Sequence, residues 1–296
     1  MKKKTQKNPM KRWAWLFLGP MLVCFCIGFV WPFLHGTYLS FCRFLLVRDA
    51  RLIGFGNYAA VFRDPSFLHA FGFTARFAVV SVIMINVPAF AAACALNHKF
   101  RGRNLFRAVF FMPNLIGGIV LGHLWSVIFD GILTSAGMKS ILENTNTGFW
   151  GMIVVLCWQQ VGYMMIIYIA GLQAVPADML EAAEIDGASG RQKLFRIVIP
   201  NMMPAITICL FLTLTNGFKL FDQNLALTAG QPFIQQANGT TVRTTEMLAL
   251  NIYNTFYSQG PSNRGIAQAK AVIFFVMVAG IGLVQLIATR RKEVQQ

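Results

Sequence analysis

Apolar positions in this chain neither alternate nor cycle; they run. Predominantly apolar stretches cover Trp13 to Leu34, Phe73 to Leu96, Phe106 to Phe129, Trp150 to Leu172, Ala205 to Leu225 and Ala271 to Thr289. A helix needs roughly 20 residues to cross a hydrocarbon layer about 30 Å thick, and each stretch supplies close to that. Barrel strands alternate over about ten residues and leave no such runs. In lipid a helix satisfies its own backbone groups, so the pattern predicts an all-α, polytopic membrane bundle of about six transmembrane helices. Two polar connections interrupt it conspicuously: one between the fourth and fifth runs, and a longer one from about Thr228 to Lys270.

Composition agrees with the pattern. Of 296 residues, 56% are hydrophobic and 12% charged, against about 25% charged in soluble domains. The net charge of +15 would point to nucleic acid in a soluble protein, but its placement points to topology instead. Lys2, Lys3, Lys4, Lys7, Lys11 and Arg12 precede the first run. Lys99, Arg101, Arg103 and Arg107 flank the second connection, Arg191, Lys193 and Arg196 lie in the fourth, and Arg290, Arg291 and Lys292 follow the last. If the runs alternate in direction, all of these share one side, and the positive-inside rule makes both termini cytoplasmic. Arg43, Arg48, Arg51 and Arg63 in the first outer loop oppose that assignment; long segments cross against their charge. The expected organisation is a basic N-terminus (1–12), a transmembrane domain (13–289) and a C-terminal tail (290–296). The first run is longer than a signal-peptide core and has no small-x-small cleavage site, so it reads as a span.

The connection between the fourth and fifth runs, about residues 176–203, has the makings of a capped helical hairpin. Pro176 and Asp178 open it, with Glu181 three residues after Asp178 in capping-box spacing. Leu180, Ala183 and Gly187 fall on one face, with Ala182 beside them, and such small side chains permit close approach. Gly187 ends the first helix, Ser189 and Gln192 repeat the capping signal, and Pro200 discourages continuation of the second. Glu181 and Asp186 supply charge either for docking or for internal bracing.

Glu181-Ala182-Ala183, three residues, Gly187, nine residues, then Ile197-x-Ile199-Pro200 resembles the cytoplasmic loop of binding-protein-dependent ABC importer permeases. Gly171 to Pro176 and Asp186-Gly187-Ala188 resemble the sugar-permease branch, the maltose, glycerol-phosphate and multiple-sugar type. Gly54-Phe55-Gly56-Asn57-Tyr58, Phe62-Arg63-Asp64-Pro65-Ser66-Phe67 and Ala267-Gln268-Ala269-Lys270-Ala271 add to the likeness. The resemblance implies a permease subunit in a bacterial inner membrane, importing a sugar or oligosaccharide. Its implied partners are membrane lipid, a second permease, a pair of ATPase chains gripping Glu181, Ala182, Ala183, Asp186, Gly187, Ile197 and Pro200, and an extracytoplasmic solute-binding protein. ATP and magnesium would belong to the ATPase; no cofactor is expected in this chain, nor any nucleic acid. No Gly-x-x-x-x-Gly-Lys-Ser/Thr phosphate loop occurs in it. The Thr228 to Lys270 connection, with a surface helix expected near Thr245 to Phe256, is either a contact for the binding protein or a plain loop.

Polar residues within spans are costly and usually face the bundle interior or a water-filled path. Gln159, Gln160 and Tyr163 in the fourth run, with Trp158 nearby, and Asn216, Lys219, Asp222, Gln223 and Asn224 in the fifth are the candidates, either for a sugar's hydroxyls and ring faces or for hydrogen bonds between helices. Lys219 and Asp222, three apart on one expected helix face, would neutralise each other. That argues against the alternative of an ion-coupled secondary carrier, which calls for an unpaired midplane carboxylate. His123 reads as an interior hydrogen-bonded residue or a relay, and Gly118 with Gly122 as a close-packing pair. Cys24, Cys26, Cys42, Cys94, Cys157 and Cys209 lack metal spacing and read as small packing residues. Four scattered histidines assemble no metal site or nucleophile-and-base cluster, so a membrane enzyme has no support.

Overall fold

The computed structural model describes residues 10–98, 100–137, 140–235, 239 and 241–290. Lys2, Lys3, Lys4, Lys7, Lys99, Lys139, Arg291 and Lys292 lie outside the described residues, as do the side chains of Lys11, Arg12 and Arg290. In chain order the helices are α1 (Met10–Phe25), α2 (Trp31–Ser40), α3 (Gly56–Arg63), α4 (Pro65–Asn97), α5 (Arg103–Phe111), α6 (Gly118–Ser135), α7 (Thr145–Gln173), α8 (Ala177–Ile185), α9 (Gly190–Lys193), α10 (Ile199–Asn201), α11 (Met203–Phe218), α12 (Leu248–Tyr257) and α13 (Arg264–Arg290). Two small antiparallel hairpins join them, β1 (Cys42–Arg43) with β2 (Arg51–Leu52), and β3 (Phe233–Gln235) with β4 (Thr241–Arg243). Among the described residues five helices are long and apolar enough to cross a membrane, or six if the pair meeting at 71° before and after Met202 is one broken span.

Two compact units divide the chain, Met1–Val61 with Thr255–Val272, and Phe62–Asn254 with Ile273–Gln296. In the first unit, α1 and α2 form one continuous helix through a π-helical turn, Cys26–Val30, and reach Ser40 rather than stopping at Leu34 as expected. The turn immediately precedes Trp31-Pro32. A proline ring clashes with the carbonyl four residues back, and the widened turn, in which the Trp31 amide bonds to the Cys26 carbonyl, relieves that clash without ending the helix. Cys24 and Cys26 are exposed on this helix, not packed as expected. The Gly54-Phe55-Gly56-Asn57-Tyr58 motif is a staple: Asn57 Nδ2 donates to the carbonyls of Ser40 (2.8 Å) and Cys42 (2.9 Å), and the Tyr58 and Ser40 hydroxyls are 2.6 Å apart. Lys270 is fully buried and donates to Thr255 Oγ1 at 2.8 Å.

The second unit is built around α7, which packs against α4, α5 and α11. Asp64 caps α4 by accepting from the Ser66 amide, with Pro65 at the first helical position, so the Phe62 to Phe67 motif also has a structural use. Phe73, Phe77, Ile85, Phe149, Met152, Leu156, Met164 and Met165 fill the core. A buried network crosses it: Tyr168 donates to Asn86 Oδ1 (2.7 Å), and Asn86 Nδ2 donates to Thr213 Oγ1 (2.9 Å), tying α7, α4 and α11 together.

Two expected spans lengthen at their start, α4 beginning at Pro65 rather than Phe73 and α7 at Thr145 rather than Trp150, and three others change as well. The run from Phe106 to Phe129 is not one helix but α5 and α6, parted by a 3-10 turn at Met112–Leu115 and extended backbone at Ile116 and Gly117. Pro113 and the Gly117-Gly118 pair permit the break, and packing fixes it: a Cβ on Gly162 of α7 would run into the Phe110 carbonyl oxygen. The run from Ala205 to Leu225 ends as α11 at Phe218 and resumes past Phe221 in a segment that is π-helical over Asn224–Thr228. The last helix starts at Arg264, seven residues before the expected Ala271. Gly118 and Gly122 meet Asp222 and Ala226, so they act as the expected close-packing pair, joining α6 to that π-helical segment. The helix expected near Thr245 to Phe256 exists as α12, but it is not a surface helix, for Leu248, Leu250, Asn251 and Thr255 are buried. Glu246 anchors its start, accepting from Asn251 (2.8 Å) and Asn254 (2.5 Å).

Candidate functional site

The connection after α7 folds as the expected hairpin. α8 begins on Pro176, whose φ of −60° suits the entry to a helix, and no side chain caps it. The predicted box between Asp178 and Glu181 does not form, because both carboxylates already lie inside the helix that Pro176 starts. Asp178 in the first turn still complements the helix dipole. At the other end Gly187 takes φ +73°; its amide bonds to the Glu184 carbonyl (3.1 Å) and the Ala188 amide to that of Ala183 (2.9 Å), which together make a Schellman stop. Ser189 then caps α9 in a complete capping box with Gln192. Lys193 Nζ and Glu184 Oε1, 3.4 Å apart, link the two arms. The second arm ends at Asn201, one residue past Pro200 and close to its expected end. A π-helical turn, Leu194–Val198, precedes the proline just as one precedes Pro32, and the helix runs on to Asn201 before bending by 71° into α11.

Leu180, Ile197 and Val198 pack against the core of the unit and root the hairpin. Ala183 is half-buried on the same side, whereas Glu181, Ala182, Asp186 and Gly187 are exposed. The expected docking face, Leu180 with Ala183, therefore turns inward. The outward face is Met179, Ala182 and Ile185, spaced three apart, with Phe195 of the second arm also exposed. Ile185, 87% exposed at the tip, presents apolar surface with no cover from its own chain.

The polar candidates of the two spans separate into two groups. Gln160, Asn216, Lys219 and Asp222 line one open cavity of about 260 Å³ with Leu156, Phe221 and Gln223. Lys219 and Asp222 do not share a helix face, since α11 ends between them, and among the described residues they form no ion pair. Both are exposed and free to meet a solute. The Gln160 Oε1 atom is buried against the cavity wall without a hydrogen-bond partner, a state that ordinarily costs about 1–3 kcal/mol. Gln159 and Asn224 are committed elsewhere. Gln159 donates to the Ile116 carbonyl (3.0 Å) and accepts from Gln223 (2.6 Å), bracing the gap between α5 and α6. Asn224, fully buried, donates to the Thr245 carbonyl (2.8 Å) and Thr228 Oγ1 (3.0 Å) and accepts from the Met247 amide (3.0 Å). Tyr163 stands apart from the cavity against Phe111. His123 is exposed on α6. Among the described residues no three His, Cys, Asp or Glu side chains cluster as metal ligands.

Membrane-length helices, a rooted and capped hairpin before a broken span, and a polar cavity beside that break define a polytopic helical permease. Residues 85–294 match the model of the family described as binding-protein-dependent transport system inner membrane component, and the chain belongs to that family. It is 40% identical, over 96% of both chains, to a probable starch degradation products transport system permease of Thermoanaerobacterium thermosulfurigenes. To the multiple sugar-binding transport system permease of Streptococcus mutans it is 31% identical, over 96% of this chain and 97% of the other. Its fold matches a chain of a bacterial ABC transporter that imports alginate, with a TM-score of 0.79 at 20% identity, covering 97% of this chain and 99% of that one.

Proposed function

We propose that this chain is the membrane-spanning permease subunit of an ABC importer for a sugar or oligosaccharide, and that it carries out no covalent chemistry itself. A solute-binding protein delivers the sugar from outside, a second permease completes the pathway, and a separate ATPase pair, using ATP and magnesium, drives the cycle. The hairpin carries this reading. It is capped at the Gly187 turn, held by Leu180, Ile197 and Val198 to the core around α7, and apolar on the exposed face at Met179, Ala182 and Ile185. A lever must be stiff, rooted and uncovered where the driver grips it. Glu181 and Asp186, both exposed, supply charge at the rim of that grip, while Ile197 and Pro200 belong to the arm that leads into the bend at Met202.

Closure of the ATPases would move the hairpin, and through the Met202 bend would move α11 and the cavity at its far end. There Gln160, Asn216, Lys219 and Asp222 offer both donors and acceptors to hydroxyl groups. Both termini and the hairpin lie on the cytoplasmic side in this reading, in a bacterial inner membrane. The relatives in Thermoanaerobacterium and Streptococcus, named for starch products and multiple sugars, support the substrate class. The decisive experiment places the assembled complex in vesicles with labelled malto-oligosaccharide and introduces Ala182→Cys for cross-linking to the ATPase. ATP-dependent uptake together with the cross-link is the expected result; uptake driven by an ion gradient without the ATPase would end the proposal.

A further inference from the structure

We infer that the β1–β2 hairpin is a binding site for the phosphate headgroup of an anionic phospholipid. The hairpin starts at Cys42, two residues beyond the end of the apolar helix Trp15–Ser40. Two residues of chain reach at most about 7 Å, so a helix that crosses the bilayer delivers the hairpin to the headgroup layer. There Arg43 and Arg51 are register partners, directly opposite each other on antiparallel strands. Like charges in that position repel and destabilise a hairpin unless an anion sits between them. Arg48 lies in the turn between the two strands, and Asp49 is the sole carboxylate lining the cavity of about 280 Å³ that the hairpin forms with Arg43, Phe44, Leu45, Arg51 and Ser262. Among the described residues no ion pair joins these arginines to any carboxylate.

The arginines are held in place from below. Cys42 and Phe44 are buried, Asn57 staples the strand base, and Arg264 Nη1 donates to the Leu45 carbonyl at 2.6 Å. Around them Leu45, Leu46, Val47, Leu52 and Phe55 are exposed, Phe55 by 74%. Guanidinium forks set among exposed aliphatic and aromatic side chains match a phospholipid, which presents phosphate and acyl chain together; a protein partner's rim is polar. The fork geometry also suits a phosphate diester better than a point charge would. This local use accounts for arginines that run against the charge rule for topology. The inference needs only that the first helix crosses a bilayer, and its failure would leave the proposed transport reaction untouched.

The test is native mass spectrometry of the full-length chain in its assembled complex, in mixed micelles of phosphatidylglycerol or phosphatidylcholine. The native chain should retain phosphatidylglycerol in preference. Arg43→Gln with Arg51→Gln should reduce those adducts roughly 30-fold, two charges at about 1 kcal/mol each, with the thermal midpoint unchanged, while Arg63→Gln should leave them intact. Equal retention by the paired variant, or equal loss with Arg63→Gln, overturns the inference. Loss of the solute-binding protein with the lipid retained also overturns it, by making the hairpin a protein-docking patch. Should the glutamine pair fail to fold, Arg43→Lys with Arg51→Lys serves instead: a severalfold weaker preference for phosphatidylglycerol supports the site, and no preference in the native chain overturns it.

Discussion

One step along an α-helix turns a side chain by about 100°, and that turn gives Gln159 and Gln160 different work. Gln159 points to the gap between α5 and α6, where it holds the Ile116 carbonyl and the Gln223 amide. Gln160 points to the cavity and leaves its oxygen unpaired. Gln159→Leu strands two buried polar groups and should lower stability by about 1–3 kcal/mol, read as a thermal midpoint several degrees lower. Gln160→Leu should hold or raise that midpoint while lowering the apparent affinity for transported sugar. A matching loss of stability in both variants would show that neither faces a solute. Gly162 gives a sharper single-atom test. Its missing Cβ makes room for the Phe110 carbonyl, a backbone atom that cannot swing aside. Gly162→Ala should therefore cost about 1–3 kcal/mol as overpacking, whereas Gly131→Ala, with open space around it, should gain helix propensity and leave the midpoint level or higher.

At the scale of elements, the hairpin shows what local sequence dictates. The Gly187 stop and the Ser189–Gln192 box were both readable because each depends on residues within one turn. The Asp178 box failed for an equally local reason, since Pro176 starts the helix too early for Asp178 to cap it. The breaks inside the third and fifth runs carried local signals, Pro113, Asn114 and Gly117-Gly118 in one and Lys219 and Asp222 in the other, which the surrounding apolarity masked, while the close contact of Gly162 with Phe110 joins residues far apart in sequence. Likewise Lys219 and Asp222 look like a helical ion pair until α11 stops between them. The arm through Pro200 ends within one residue of the expected stop, and the π-helical turn before it lets the last helical turn hold the proline. Ser189→Ala removes one half of the box and should cost about 1 kcal/mol of local stability. Faster hydrogen exchange at the amides of Arg191 to Lys193 would register it, and a slack lever should then raise ATP consumed per sugar moved. Unchanged exchange would mean that the Glu184–Lys193 link and the root at Leu180 hold the arm without the cap.

On the scale of the whole molecule, the described surface divides by what must cover it. In the apolar stretch of α7, 56% of residues are buried within the chain, whereas none is in that of the first helix and 6% are in that of the last. Surfaces so apolar require an apolar cover, whether lipid or protein. In the proposed topology, with the bent pair at Met202 counted as one of six crossings, the hairpin tip is cytoplasmic and the turn between α12 and α13 is external. Ile185 and Ser258, both exposed, are the markers. In intact cells a membrane-impermeant maleimide should label Ser258→Cys at once and Ile185→Cys only after permeabilisation, while the native Cys24 and Cys26, midway along the first apolar helix, should stay unlabelled in both conditions. Labelling of Ile185→Cys from outside would put the lever where no ATPase can reach it. Labelling of Cys24 would instead mean that water reaches the first helix, and the anchoring of the arginine hairpin at the bilayer surface would lose its physical basis.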